Sequence, residues 1–460
     1  MNSPLARFVR LVMLAVMLGV GAIQPASAQQ GQGPSLLRDT ETERLFKDMS
    51  RPLIVAAGLD PNSVNVVLLN DPEVNAFVAT GQTVYVQSGL LEMTDNVDQL
   101  QGVVAHELGH VVGGDSIRSQ SGAKQATGIT LLSLVLGAVA IAAGAGDAGM
   151  GIMMAGQRAA EGEFMAFTRA QEATADASAA RFLSKAGISG KGILDFFGKL
   201  QNYEYRLAIY SKDSFDRDHP LNQERIQALG QILRTDPAYN KPTDPELEAR
   251  FQRVKAKLIG FVDPKLATTK YPERDQSVPA HYARAYAYHR GGYPDAAMRE
   301  VDALLAAAPH DPYFLELKGQ ILLEGGKPKL AIPPLREAVI QSRSTPLIAA
   351  LLGNALVATE DPNDFKEATQ VLKVAVQRDS ENPQAWYDLG LVYTRMGDEA
   401  RASLASAERF SLQDEPQRAL ASAEMAMRGI PAGTPDYLRA QDVALTARDA
   451  AERQRRQKRR

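Results

Sequence analysis

The stretch Gly102-Val103-Val104-Ala105-His106-Glu107-Leu108-Gly109-His110-Val111-Val112 constrains this chain more than any other. Its valines, alanine and leucine are those of a buried helix. Side chains four apart on a helix lie one above the other, so His106 and His110 can offer two imidazoles to one metal ion. Glu107 then falls beside the open coordination position, where a general base for an activated water belongs. The chain has six histidines and no cysteine. Thiolate ligands, disulfides, a cysteine nucleophile and a lipid-bearing cysteine are therefore excluded, and a zinc site must be built from His, Glu and Asp.

A candidate third ligand comes from the helix expected over Phe164 to Lys185. Glu172 and Asp176 lie one turn apart there and share a face. That spacing suits a ligand carboxylate with a second carboxylate beside it, orienting a ligand histidine. Asp176 is read as orienting His106 or His110, or as pairing with Arg225. Further on, His219 precedes Pro220 in an extended turn that opens a helix near Leu221. It is the one remaining histidine before a helical C-terminal half.

The metal helix should begin at Asp95 or Asn96 and stop at Gly113-Gly114. Before it, Thr40 and Glu43 have capping-box spacing at a helix start, and Val64 to Leu69 reads as a strand. Ala76-Phe77-Val78 and Val84-Tyr85-Val86 read as a hairpin whose edge could pair with an extended peptide. After the metal helix, Ile129 to Ala143 is apolar, Gly144 to Asp147 interrupts it, and Met150 to Ala155 resumes it. We expect two short helices here, covering the site or dipping into a membrane interface.

The chain ends carry their own signals. Arg7 and Arg10 precede an apolar run, Leu11 to Ile23, and the small-residue pattern Ala26-Ser27-Ala28. This reads as a signal peptide cleaved after Ala28, which directs a cysteine-free chain to the periplasm. Six of the last eight residues are Arg or Lys, behind an acidic body; the formal net charge is −3. Such a tail is solvated or touches an anionic membrane surface. Nothing else supports a nucleic-acid role.

The motifs His106-Glu107-Leu108-Gly109-His110, Glu172-x-x-x-Asp176 and His219-Pro220 with Arg225 downstream occur in that order. Together with Asn75-Ala76-Phe77 and Val84 to Leu90, they resemble the zinc metallopeptidases that include HtpX and the CAAX prenyl proteases. The resemblance implies a gluzincin-type domain with one zinc ion held by His106, His110 and Glu172. It implies Glu107 as catalytic base, with His219 and Arg225 in the surroundings of the active site. His219 is either an oxyanion stabiliser or a fourth ligand that holds the enzyme inactive. The membrane-embedded relatives have several spans, so prenylated substrates are not expected here.

From about Ala280 the chain is rich in alanine and leucine, with helix-loop-helix units about every 34 residues. Trp386-x-x-Leu389-Gly390-x-x-Tyr393, with Gly397 and Ala402, fits the tetratricopeptide pattern. Such helix pairs stack into a solenoid with a concave binding surface. The expected organisation is a signal peptide over 1–28 and a metallopeptidase domain over 29–235, with an apolar insertion near 125–156. A connecting helix and linker span 236–279, repeats 280–450 and a basic tail 451–460. The fold class is α+β, mainly helical, with a small antiparallel sheet followed by an all-α solenoid. The expected function is an exported zinc endopeptidase for quality control or assembly of envelope and outer-membrane proteins. Its substrates are unfolded or misassembled envelope proteins, and its repeats recruit them or an outer-membrane assembly machine. The competing reading is a non-proteolytic chaperone or scaffold acting through the repeats.

Overall fold

The computed structural model describes residues 35–79, 81–142, 146–207, 219, 221 and 223–458. The expected signal peptide lies outside them. Strand β1 (Ser35–Leu37) leads into helix α1 (Thr40–Ala56). Asp39 caps α1, its carboxylate accepting from the Thr42 amide. The cap is thus one residue before Thr40: the aspartate carries charge into a helix N-terminus, where a hydroxyl carries none.

Strands β2 (Asn65–Asn70), β3 (Ala76–Val78) and β4 (Thr83–Gln87) complete a sheet of order β1-β2-β4-β3. The expected hairpin is present, with Phe77 opposite Tyr85. The sheet is mixed, however, and not antiparallel: β2 and β4 run parallel, with Val66 opposite Val84. The segment after β2 carries β3 to the outer edge, and β4 returns between β2 and β3, which buries Val84 and Val86 completely. β3 is left as an edge strand.

Helix α2 (Ser88–Met93) follows, then α3 (Val97–Gly113), the metal helix. Asn96 caps its start, accepting from the Gln99 amide, and Gly114 ends it with φ 65°, a left-handed turn suited to glycine. Helices α4 (Asp115–Ala142), α5 (Gly146–Ala186), α6 (Lys191–Leu207) and α7 (Gln223–Arg234) complete this N-terminal unit. Its core gathers Leu45, Phe46 and Met49 of α1, Leu100 and Val104 of α3, Leu183 of α5 and Phe196 of α6.

The apolar insertion departs from expectation. In place of two short helices, α4 and the first half of α5 form a long antiparallel hairpin. Small residues make its seam: a Cβ on Gly137 would lie 2.7 Å from the Gly149 carbonyl oxygen, and one on Gly156 would collide with Ser133. The large side chains Leu131, Leu132, Leu134, Val135, Leu136, Met150 and Met154 face outward and are exposed. A sequence shows that a segment is apolar, but not whether a neighbouring surface exists to receive it.

Helix α8 (Pro245–Val262) belongs to two cores at once. Phe251, Val254 and Leu258 pack into the N-terminal unit, while Ala256 and Ile259 pack against Ala283 and Ala287 of α10 (Val278–Arg290). The short helix α9 (Pro264–Lys270) lies between α8 and α10, inside the segment expected to be a linker. Beyond α10 come helices α11 (Pro294–Ala307) through α19 (Pro435–Lys458), paired in series. Most begin with proline at the first turn, where its missing N–H costs nothing. Gly319, Gly353 and Gly390 recur at one position of successive units. A Cβ at the first two would meet Leu335 and Leu372 of the paired helix at 2.3 and 2.4 Å. These are helical repeats of tetratricopeptide type.

The start of α1 docks on α8 and the repeats through buried charges. Lys257 Nζ lies 2.5 Å from Asp39, Arg253 Nη2 2.8 Å from Glu41, and the Tyr282 hydroxyl donates to Glu41 at 2.9 Å.

Candidate metal centre

Two glycines let α3 sit deep in the N-terminal unit. Gly102 touches Ile193 of α6, where a Cβ would approach its Cβ to 2.6 Å. Gly109 touches Ala175 of α5, where a Cβ would meet backbone at 2.8 Å. That second contact falls between Glu172 and Asp176, so it seats both carboxylates against the face carrying His106 and His110.

The resulting cluster is compact. His106 Nε2 lies 3.2 Å from His110 Nε2 and 3.3 Å from Glu172 Oε2, and His110 Nε2 lies 3.4 Å from Glu172 Oε1. With His219, one donor atom from each of the four residues lies within 4.8 Å of the others. A tetrahedral zinc site with bonds of about 2.0–2.1 Å has ligand–ligand edges of about 3.3 Å. Three edges of the cluster have that length, although the two to Glu172 use different oxygens.

The outer contacts fix the rings. Nδ1 of His106 lies 2.9 Å from Asp176 Oδ1, and Nδ1 of His110 lies 2.9 Å from Asp115 Oδ2. Each imidazole thus turns Nε2 to the centre with a carboxylate behind it, the arrangement that orients metal-ligating histidines. Arg225 of α7 grips Asp176 with Nε at 2.9 Å and Nη2 at 3.0 Å, and its Nη1 reaches Glu172 at 2.8 Å. Asp176 therefore serves both His106 and Arg225. His219 places Nδ1 3.0 Å from Glu172, while its Nε2 lies 3.2 Å from the Ala76 carbonyl on edge strand β3 and 3.6 Å from Glu107. Glu107 is fully buried, and neither carboxylate oxygen has a hydrogen-bond partner.

The electrostatics call for a cation. Glu107, Asp115, Glu172 and Asp176 bring four carboxylates together, with the guanidinium of Arg225 against Asp176 and Glu172 and that of Arg118 near Asp115. Burial would lower the imidazole pKa values, yet hydrogen bonds to the carboxylates raise His106 and push His110 up to about 10. Burial would raise Glu172, but the rings of His106, His110 and His219 pull it far below the usual carboxylate range. A divalent ion satisfies such a group without protonated rings, so the donor set fits a metal.

All seven residues singled out in the sequence converge on this cluster: His106, Glu107, His110, Glu172, Asp176, His219 and Arg225. Asp115 was missed. Its only sequence signal is an aspartate directly after the glycine pair that ends the metal helix.

Comparison with known proteins places a family model on the N-terminal unit. The profile of Peptidase family M48 matches residues 37–233. Residues 37–233 are an M48 peptidase domain. The domain is accordingly a metallopeptidase, and the cluster that could hold a metal ion lies within it. The beta-barrel assembly-enhancing protease of Escherichia coli K12 is 24% identical over 416 residues, covering 88% of this chain and 82% of that protein. The putative beta-barrel assembly-enhancing protease of Vibrio cholerae is 22% identical over 391 residues, covering 84% and 79%. The metalloprotease YcaL of Escherichia coli K12 is 31% identical over 167 residues, 36% of this chain and 61% of that one. Among solved structures, MamA is similar over 37% of this chain and 96% of its own, with 24% identity and a TM-score of 0.29. The tetratricopeptide protein YrrB is similar over 38% and 91%, with 19% identity and a TM-score of 0.32.

Proposed function

We propose that the chain is a zinc-dependent endopeptidase of the bacterial envelope, acting in the periplasm on unfolded or misassembled outer-membrane proteins that its repeats recruit. The observation that carries the catalytic part is the set of donor contacts between 3.2 and 3.4 Å among His106, His110 and Glu172, with the buried Glu107 carboxylate, which has no hydrogen-bond partner, alongside. The name of these relatives, beta-barrel assembly-enhancing protease, supports the envelope assignment. His106, His110 and Glu172 would hold the ion. Bound there, zinc supplies Lewis acidity, lowering the pKa of water and polarising a peptide carbonyl.

The protein's own groups do the rest. Glu107 accepts the proton of the attacking water and returns it to the departing amide nitrogen. Edge strand β3 offers its backbone to an extended substrate beside the cluster. Asp176 and Asp115 hold the two imidazoles in the tautomer that presents Nε2, and Arg225 holds Asp176. His219 is read as a fourth ligand that closes the site, a reading favoured over oxyanion stabilisation by its 3.0 Å contact with Glu172.

The test uses the purified chain on unfolded casein. Wild type should cleave, a chelator should stop it and added zinc restore it. Glu107→Gln should lose at least about 10²-fold, and His219→Ala should cleave faster than wild type. Cleavage by Glu107→Gln at the wild-type rate would refute the catalytic assignment. A slower His219→Ala would refute closure.

A further inference from the structure

The α4–α5 hairpin is built inside out. In a water-soluble helical pair, large apolar side chains fill the seam and polar ones face solvent. Here small residues bring the two helices together, Gly137 against the Gly149 carbonyl and Gly156 against Ser133, with Met153 the large side chain beside Gly137. Leu131, Leu132, Val135 and Leu136 on one arm, with Met150 and Met154 on the other, stand 50–61% exposed. Small residues at the seam with large apolar ones outside is the packing of helices in lipid, where no hydrophobic force drives the helices together.

Charge and length agree. Between Lys124 and Arg158 the sequence has one charged residue, Asp147, in the first turn of α5 at the tip. The Gly156–Ser133 contact sets the register, so Arg158 lies near the level of Leu131. From Leu131 to Ala142 α4 rises roughly 16 Å, close to half of the roughly 30 Å hydrocarbon thickness. Among the described residues no helix is long and apolar enough to cross a membrane. Arg158 is exposed at the base of the apolar part, placed to meet anionic headgroups. Glu161 lies a turn further from the tip, and Lys124 further still.

We propose that the tip of this hairpin inserts into one leaflet of a lipid bilayer and tethers the M48 domain to the membrane surface. The proposal does not depend on which metal the domain holds or on what it cleaves.

The experiment is flotation of the full chain with vesicles of phosphatidylethanolamine and phosphatidylglycerol. Because the chain has no cysteine, a single Leu136→Cys variant can carry an environment-sensitive dye. Wild type should float with the vesicles, and the dye should shift to the blue on their addition. Leu132→Gln, Val135→Gln and Leu136→Gln together should weaken partition at least about tenfold, with unchanged melting temperature and casein cleavage. Failure of wild type to float would overturn the proposal, as would flotation of the triple variant like wild type. A blue shift without vesicles, accompanied by a dimer that the triple variant loses, would make the hairpin a contact between two copies and also overturn it.

Discussion

Replacing Asp115 by alanine removes the carboxylate 2.9 Å behind the His110 ring and leaves Glu107, Glu172 and His106 in place. His110 then has no acceptor to fix its tautomer, and the cluster loses one of its four negative charges. Loss of a carboxylate behind a ligating histidine weakens metal binding by about 10–100-fold, or about 1.4–2.7 kcal/mol. The Asp115 side chain retains 10% of its accessible surface, so water can take over part of its role. We therefore expect the lower half of that range, about 10- to 30-fold. The assay is competition for zinc against a chromophoric chelator, followed by casein cleavage at saturating zinc, where kcat should match wild type. Zinc affinity unchanged within about twofold would refute the reasoning. So would a loss of kcat that saturating zinc fails to restore, because Asp115 would then act on the reaction and not on the ligand.

Other outcomes follow from the same contacts. Gly109→Ala sets a methyl group 2.8 Å from the Ala175 backbone. It should cost about 1–3 kcal/mol in denaturant unfolding and weaken zinc binding by displacing Glu172. Arg225→Lys replaces a two-pronged grip on Asp176 and a contact to Glu172 with one point charge. Both zinc affinity and melting temperature should fall, although net charge is unchanged. Glu316, facing the Asp39–Glu41–Lys257 network, is pushed by burial from 4.5 up to about 8. The folded state thus holds a proton that the unfolded state has released between those values, so stability falls as pH rises from about 5 to 8. Glu316→Gln should remove this slope, stabilising the protein at pH 8 by on the order of a few kcal/mol and little at pH 5, as read by thermal unfolding.

The readable part of the site was helical. His106, His110, Glu172 and Asp176 are linked by spacings of four, and helix geometry turns such spacings into faces before any tertiary contact exists. Asp115 follows the left-handed turn at Gly114. Periodicity ends at such a turn, and only the returning chain brings that carboxylate behind His110. The sheet shows the same boundary. Hairpin β3–β4 was legible from its short connection, but the parallel pairing of β2 with β4 depends on the β3 segment going round the outside. The apolar insertion was legible as helix and as apolar. The exposure of its leucines depends on the absence of a packing partner among the described residues, which no local pattern encodes. α8 read as a connector, yet its two apolar faces serve two cores.

Helix α5 runs unbroken for 41 residues from the hairpin tip past Glu172 and Asp176, a rod of roughly 60 Å. Arg158 and Glu172 are separated by about 21 Å along it. If the tip is moored in a leaflet, the rod becomes a measuring stick. Its continuous helix sets the height above the headgroups at which peptide bonds are cut. Chain that has stalled within that layer comes into reach of Glu107, and chain lying flat in the bilayer does not. Inserting or deleting whole turns of α4 and α5 together between the moored tip and Glu172 would then move the cleavage site on a membrane-bound substrate without altering the chemistry.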